Sequence, residues 1–352
     1  MLGFKLDYLI GTGKTAMVYL ALDSQKREVA LKLPRDDVRE DVEKSNRFAS
    51  EVTMSLRLEH PHIVKSYSGI PAGPDAHLCL EYFSESSLDH LVAAGRLDLV
   101  TALRYATQMA SAVAYVHAQN IIHQDIKAAN IFVKQGNVYL ADFGVAVRLG
   151  SGGASAGSPF YMAPEIYRGE GSSASSDVYS LGVLIYELLT GVRPFEGDSY
   201  EALMVAHLTS FPRSLATRCP ELPKATVRDL EKALSKNPED RPSATEMYAS
   251  LSRALARLGG SEIYVPPPKM LDWDDETPPP SNMSDTQLDH MERVSSEAKE
   301  RESDQDGPSI GRHGPSTELK PKTPPASNAP LNLPKAPEKK GGLFGALFGR
   351  KK

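Results

Sequence analysis

The spacing of apolar residues predicts a strand-rich segment at the start of the chain. Four β-compatible runs, separated by glycine or turn residues, lie within roughly the first 80 residues. They cover residues 6–10, 18–22, 28–33 and 77–81. Between the third and fourth runs, apolar residues recur with a helical period over residues 41–58. The beginning of the chain is therefore predicted to form a small β-rich unit with one main helix.

Helices are predicted to dominate from Leu88 onward. Residues 100–117 place a continuous stripe of apolar side chains on one helix face. Residues 177–189 place apolar side chains on nearly every face of the predicted helix, which is typical of a helix buried at the centre of a domain. The pattern predicts an α+β, bilobal fold, with a β-rich lobe over residues 1–83 and a helical lobe over residues 84–258.

The composition changes near residue 260. More than half of the 26 prolines lie beyond this point, among many Ser, Asp and Lys residues. Such a segment buries too little apolar surface to offset the entropy lost on ordering. Residues 259–352 are accordingly predicted to be a disordered tail.

Composition also limits the class of function. A net charge of −5 over 352 residues gives no indication of a nucleic-acid-binding surface. Two cysteines favour a reducing compartment over a disulfide framework. There is neither a signal peptide nor an apolar run of the roughly 20 residues that cross a bilayer, so a soluble, cytoplasmic protein is expected. His60 and His62 flank Pro61, and we interpret them as part of a loop rather than as metal ligands.

A glycine-containing turn precedes the second strand. Gly11-Thr12-Gly13-Lys14-Thr15 resembles a Walker A loop, but that motif needs a glycine where Tyr8 stands. Two interpretations remain open for these residues. They form either an ordinary β-turn or a hairpin whose backbone amides bind the phosphates of a nucleotide.

A lysine and a glutamate add to the nucleotide interpretation. Lys32 lies on the third predicted strand, and Glu51 lies in the helix that follows it. Lys32 taken singly is explained equally well as a solvent-facing strand residue. A helix carboxylate, however, can aim a lysine at α- and β-phosphates without neutralising it.

The strongest signal is the segment 122–130, followed by Asp142-Phe143-Gly144. Asp125 can accept a proton from a hydroxyl, and Lys127 can balance the charge of a phosphoryl group. Asn130 and Asp142 supply the oxygen ligands that Mg²⁺ prefers. The order and spacing of these groups together point to phosphoryl transfer.

From Tyr8 to Leu258 the sequence resembles the eukaryotic-type (Hanks-type) serine/threonine protein kinase family, including bacterial members. The resemblance rests on the motifs above and on Ala163-Pro164-Glu165. It implies transfer of the γ-phosphate of ATP to Ser or Thr of protein substrates, with Asp125 and Lys127 catalytic. Asn130 and Asp142 are the implied Mg²⁺ ligands. The implied nucleotide-binding residues are Ile10, Gly11, Thr12, Gly13, Val18, Ala30, Lys32, Glu51, Glu81, Phe83 and Phe132.

Other family positions have implied structural roles. Asp177 corresponds to an aspartate that supports the catalytic-loop backbone, and Arg241 to an arginine that pairs with the equivalent of Glu165.

The chain departs from the family pattern at three positions. Gln124 replaces the arginine that holds a phosphorylated activation loop, so we expect activity without phosphorylation of Ser151 or Ser155. Ala16 replaces the third glycine of the loop, which predicts a modest effect on nucleotide affinity. Ser55 replaces a bulkier apolar residue and predicts a loosely docked helix.

The tail carries three further candidates. Trp273 is the only tryptophan and lies within an acidic stretch, as an anchoring aromatic residue would. Thr277-Pro278 and Thr323-Pro324 match a simple phosphorylation pattern. The apolar and basic residues 343–352 fit a solvated tail, a docking segment for a protein partner or contact with a membrane surface.

Two alternative functions share much of this pattern. A pseudokinase scaffold would bind ATP and partners without phosphotransfer, but it would typically lack one of Lys32, Asp125, Asn130 or Asp142. A small-molecule phosphotransferase would share the catalytic loop but not the substrate-docking segment that ends at Glu165.

Overall fold

The computed structural model describes residues 3–95, 97–149 and 157–261, together with Ile263, Val265, Met270, Leu271 and Trp273. The predicted activation-loop serines Ser151 and Ser155, the two Thr-Pro pairs and the segment 343–352 lie outside the described residues. The same holds for most of the tail, so its predicted disorder stays a prediction.

The N-terminal lobe is a five-stranded antiparallel sheet with strand order β1-β2-β3-β5-β4. Its strands are β1 Lys5–Thr12, β2 Ala16–Leu22, β3 Glu28–Pro34, β4 Ser66–Ile70 and β5 His77–Glu81. A short helix, α1 Asp36–Arg39, precedes the main helix, α2 Val42–Arg57. Helix α2 begins after Asp41, whose carboxylate accepts a hydrogen bond from the backbone N–H of Lys44 at 3.1 Å.

The C-terminal lobe is mainly helical. Its helices are α3 Leu88–Ala94, α4 Leu99–Ala118, α5 Pro164–Tyr167, α6 Ala174–Thr190, α7 Tyr200–Thr209, α8 Leu215–Arg218, α9 Lys224–Ala233 and α10 Ala244–Arg257. Two small antiparallel strand pairs, β6 with β9 and β7 with β8, lie between α4 and α5 in the chain. Their strands are β6 Ile121–Ile122, β7 Ile131–Lys134, β8 Asn137–Leu140 and β9 Val147–Arg148.

Helix α6 forms the centre of this lobe. Every residue from Ser176 to Thr190 is buried, which agrees with the all-round apolar pattern of this segment. Helices α4, α9 and α10 contribute most of the remaining large apolar core. The predicted α+β, bilobal fold is confirmed. No helix among the described residues is long and apolar enough to span a membrane.

The core also extends past α10. Ile263, Leu271 and Trp273 pack against the C-lobe cluster, although the sequence places them in the predicted tail. The hydroxyl of Tyr248 on α10 donates to the carbonyl oxygen of Ile263 at 2.8 Å. The chain therefore stays in contact with the domain for some distance beyond Arg257.

Candidate active site

Three charged side chains meet at the junction of the two lobes. Lys32 projects from β3, Glu51 from α2, and Asp142 from the loop between β8 and β9. The Lys32 ammonium group donates to the Glu51 carboxylate and to Asp142 Oδ1, the latter at 3.0 Å. Since only 3% of Glu51 is exposed, the lysine holds an interior carboxylate on one side and the more exposed Asp142 on the other.

The charges of this cluster stabilise one another. The positive charge of Lys32 lowers the pKa of Asp142 to about 2, although burial opposes the shift. Burial by itself would lower the pKa of Lys32, but the negative charges of Asp142 and Glu51 outweigh it and raise the value. Lys32 is therefore a cation and Asp142 an anion at neutral pH.

Gly144 permits this close approach. A Cβ atom at this position would lie 3.1 Å from Glu51 Oε2 and 3.2 Å from Asp142 Oδ1. Both distances are shorter than ordinary van der Waals contacts, so a methyl group here would push the carboxylates by a few tenths of an ångström. The glycine leaves the two carboxylates free to reach Lys32.

The loop between β6 and β7 carries the second cluster of charged and polar groups. Lys127 Nζ donates to Asp125 Oδ2. The side-chain amide nitrogen of Asn130 donates to the same oxygen and to the backbone carbonyl of Asp125, both at 2.9 Å. The Asp125 carboxylate is thus oriented by two donors.

Asp177 on α6 holds the backbone of this loop. Its carboxylate accepts hydrogen bonds from the backbone N–H groups of His123 at 2.7 Å and Gln124 at 2.9 Å. Gln124 has a positive φ of 69°, which is uncommon for a residue other than glycine. The two hydrogen bonds from Asp177 stabilise this conformation and place Asp125 directly after it.

An apolar cluster lies where the two lobes meet. It joins β-strand residues of the N-lobe with residues of the C-lobe, and two of its aromatic rings, Phe83 and Phe132, stack with centroids 5.5 Å apart. Its buried members are Val18, Ala30, Val64, Phe83, Phe132 and Ala141, with Ile10, Leu80, Tyr82 and Tyr139 packed against them. Such a surface suits a flat, largely apolar ring system.

The glycine-containing turn connects β1 and β2. Gly11 pairs with Val18 and Thr12 with Met17, so both remain in the ladder, and Gly13 N–H donates to the carbonyl of Ala16 at 2.8 Å. A Cβ atom at Gly13 would lie 3.4 Å from that carbonyl, its nearest neighbour. The fold itself leaves room for a side chain here, and the glycine keeps that space open.

A family model described as the protein kinase domain matches residues 4–251, more than half of the chain. The chain belongs to the protein kinase family. The match begins just before β1 and ends within α10, so both lobes of the kinase domain are included.

Three curated relatives of this kinase domain come from bacteria. The chain is 35% identical to the serine/threonine-protein kinase PrkC of Bacillus subtilis over 261 residues, which are 72% of this chain and 40% of PrkC. It is 35% identical to PknB of Mycobacterium tuberculosis over 265 residues, 71% of this chain and 42% of PknB. With PkaA of Streptomyces coelicolor the identity is 34% over 257 residues, 70% of this chain and 47% of PkaA. The matched region spans less than half the length of these relatives.

Most of the residues singled out in the sequence converge on this cleft. Ile10, Val18, Ala30, Phe83 and Phe132 meet in the apolar cluster. Glu81 differs, because its side chain forms an ion pair with Lys134 instead of joining the cluster. Any contact of Glu81 with a nucleotide would have to come from its backbone.

Sequence reasoning missed Val64, Tyr139 and Ala141 in the apolar cluster. Ala141 directly precedes Asp142, and this adjacency was a usable signal. Val64 lies in the connection to β4, where its N–H donates to the carbonyl of Leu140 at 2.9 Å. Nothing in the local pattern of that connection indicates such a long-range pairing.

The kinase domain also contains the structural ion pair that the resemblance implied. Arg241 Nη1 donates to Glu165 Oε1 at 2.6 Å and Arg241 Nη2 to Glu165 Oε2 at 2.8 Å. Burial opposes ionisation of Glu165, but the paired guanidinium holds its pKa below the usual value. The pair joins α5 to the segment between α9 and α10.

The residues implied as Mg²⁺ ligands fit an ion that takes its remaining ligands from the substrate. Among the described residues, no group of three or more His, Cys, Asp or Glu side chains is arranged to hold a metal. Mg²⁺ in phosphoryl-transfer sites is commonly bound by one or two protein oxygens together with substrate phosphates and water. The anionic Asp142 and the amide oxygen of Asn130 match that donor set.

Proposed function

We propose that this chain is an ATP-dependent serine/threonine protein kinase. The observation that carries the proposal is the orientation of Asp125 by Lys127 and Asn130, beside a cleft that also holds the Lys32–Glu51–Asp142 cluster. A carboxylate fixed by two donors is prepared to act on one bound hydroxyl. The named relatives, all serine/threonine kinases, support the same reaction.

ATP fits the two halves of the cleft. The apolar cluster that includes Val18, Ala30 and Phe132 accepts the adenine ring, and Lys32 reaches the α- and β-phosphates. The turn at Gly11, Thr12 and Gly13 offers backbone amides to the phosphates. Glu51 keeps Lys32 extended and charged while the nucleotide binds.

Asn130 and Asp142 would hold Mg²⁺ through their oxygens. The ion, when bound, neutralises phosphate charge and orients the transferred group. The low pKa of Asp142 keeps this carboxylate ionised for that purpose at every pH near neutrality.

Asp125 would act on the incoming hydroxyl. It accepts the proton as the hydroxyl oxygen forms its bond to the γ-phosphorus and the bond to the β–γ bridging oxygen breaks, which releases ADP. Lys127 lies beside Asp125 and balances the charge of the transferred phosphoryl group. No covalent enzyme intermediate is needed, since positioning and electrostatics supply the catalysis.

Proteins with exposed Ser or Thr residues are the proposed substrates. Lys127 is the residue that serine/threonine members of the family carry at this position, and the segment ending at Glu165 is anchored to the lobe by Arg241. Cys79 and Cys219 are both buried and form no disulfide with each other, which supports a reducing compartment such as the cytoplasm.

The test is incubation of the purified protein with labelled ATP, Mg²⁺ and a generic basic protein, beside an Asp142→Ala variant. We expect label on Ser or Thr with the wild type and none with the variant, while both remain folded. Nucleotide binding without transfer by the wild type would contradict the proposal and favour a pseudokinase scaffold.

A further inference from the structure

A segment beyond the last helix of the kinase domain places the only tryptophan of the chain on the domain surface. Trp273 Nε1 donates to the backbone carbonyl of Gln119 at 3.0 Å. The backbone N–H of Leu271 donates to Gln119 Oε1 at 2.8 Å. Gln119 is completely buried at the end of α4, so both bonds anchor the segment to the interior of the C-lobe.

The indole ring also lies next to two arginines from different parts of the fold. The guanidinium carbon of Arg57 is 5.6 Å from the ring centroid, and that of Arg148 is 5.5 Å away. Both distances are within the range of a cation–π interaction. Arg57 is the last residue of α2, and Arg148 is the last residue of β9.

Helix α2 carries Glu51, and strand β9 follows the loop that carries Asp142. Arg57 follows Glu51 by six residues on one helix, and Arg148 follows Asp142 by six residues. Glu51 and Asp142 are the two partners of Lys32. The Trp273 ring thus contacts one arginine on α2 and one on β9. The segments that contain these arginines also place Glu51 and Asp142, which bind Lys32.

The end of α2 also packs against the C-lobe. Met54 and Leu58 join its core, and the N–H of Glu59 donates to the Tyr115 hydroxyl at 3.0 Å. Ser55, which faces the interior with 7% of its surface exposed, adds only a small side chain. The Trp273 ring, which lies near both Arg57 and Arg148, adds a contact between the end of α2 and the end of β9.

We propose that Trp273 is a positioning residue for phosphotransfer, which acts by fixing α2 and β9 relative to each other. The inference rests on the proposed kinase function. Docking of Trp273 favours the arrangement in which Glu51 and Asp142 both reach Lys32. Nucleotide binding favours the same arrangement, so the two events are coupled, and the coupling is reciprocal.

Because Trp273 is the sole tryptophan, its fluorescence reports the docking directly. The first measurement is acrylamide quenching of the full chain with and without saturating ADP and Mg²⁺. We expect the quenching constant to fall when the nucleotide is bound, since the docked ring is shielded. Identical quenching in both states would overturn the coupling.

The second measurement compares variants in the full chain. We expect Trp273→Ala to lower kcat by about 10-fold, because small displacements of catalytic groups are costly in rate. Trp273→Phe keeps an aromatic ring for both arginines and should recover most of the rate although it loses the bond to Gln119. Met270→Ala changes a neighbouring side chain that is 60% exposed and serves as the matched control.

A purely structural role gives a different result. If Trp273 only covers apolar surface, Trp273→Ala lowers the thermal unfolding midpoint but leaves kcat unchanged at temperatures where the protein is folded. That result would overturn the inference and leave the kinase function intact. If the wild type transfers no phosphate, the proposed function fails, while the nucleotide dependence of quenching still decides the coupling.

Discussion

The active-site lysine depends on side chains that come from three separate segments of the chain. Lys32, Glu51 and Asp142 are brought together by β3, α2 and the loop after β8. Each residue could be named from its motif, because the resemblance fixes its place in an ordered series. The sequence also predicts the pairing of Lys32 with Glu51, which the structure shows. It does not predict the bond from Lys32 to Asp142, since that depends on how the loop after β8 lies against β3.

Gly144→Ala tests how tightly this cluster is packed. The added methyl group would crowd Glu51 Oε2 and Asp142 Oδ1, and we expect the resulting shift of a few tenths of an ångström to disturb their bonds to Lys32. We expect kcat to fall about 10- to 100-fold, because small displacements of catalytic groups are costly. Steady-state kinetics together with the thermal unfolding midpoint check this, and an unchanged kcat in a folded variant would show that the site tolerates the shift.

Gln124 leads to a prediction about regulation. Its side-chain amide donates to the Ser172 hydroxyl, a neutral partner, and it cannot form the charge-assisted pair that a phosphorylated loop requires. We therefore expect the double variant Ser151→Ala, Ser155→Ala to keep the activity of the wild type toward a protein acceptor. A large loss of activity would show that phosphorylation in this loop is needed after all.

At the scale of elements, strong periodicity was a reliable guide. The predicted helix 41–58 is α2, 100–117 is α4, and the buried helix 177–189 lies within α6. Strand β4 was missed because its residues, Ser-Tyr-Ser-Gly-Ile, are mostly polar or small. Its pairing with β5, rather than its own pattern, makes it a strand.

The ion pair between α5 and the segment before α10 is a second test at this scale. Arg241→Ala leaves the buried Glu165 carboxylate without its partner, and we expect a loss of about 3–5 kcal/mol in the free energy of unfolding. The control is Arg47→Ala, which removes an exposed pair with Glu43 and should cost no more than about 1 kcal/mol. Urea unfolding measures the free energy of unfolding of both variants. Similar small decreases for the two would contradict a structural role of the Arg241–Glu165 pair.

At the scale of the whole molecule, the sequence predicted both lobes and their order but not where contact with the domain ends. The last helix stops at Arg257, near the predicted end of the lobe, yet Leu271 and Trp273 lie against the core. Pro-rich composition signals a lack of regular structure, and it does not reveal single anchoring residues. Leu271 and Trp273 contact the domain through hydrogen bonds to Gln119, which a local sequence pattern does not indicate.

Buried histidines predict how stability depends on pH. Burial, with a smaller contribution from Lys236, lowers the pKa of His207 to about 4, and its Nδ1 is bonded to the Tyr179 hydroxyl at 2.9 Å. An unfolded histidine titrates near 6.5, so the unfolded state binds the proton first and stability falls as the pH drops below about 6.5. As the pH falls from about 7.5 to 5, His207 alone should lower the free energy of unfolding by about 2 kcal/mol.

The measurement is urea unfolding of the wild type and His207→Gln at both pH values. Between these two pH values, the free energy of unfolding of the variant should fall by about 2 kcal/mol less than that of the wild type. The comparison removes the contribution of the other titratable groups, because both proteins share them. His90→Gln changes a side chain that is 46% exposed and is the control. Equal losses for the wild type and His207→Gln would mean that His207 takes up its proton without unfolding.

The central claim is that Asp125 accepts a proton from a Ser or Thr hydroxyl while ATP is held by the cleft. The most direct measurement is the initial rate of phosphate transfer to a protein acceptor by the wild type and Asp125→Asn, at saturating ATP and Mg²⁺. We predict phosphoserine or phosphothreonine with the wild type, and a fall in kcat of about 100-fold or more with the variant at unchanged ATP affinity. Equal rates for the two proteins, or ATP binding without transfer by the wild type, would contradict the account.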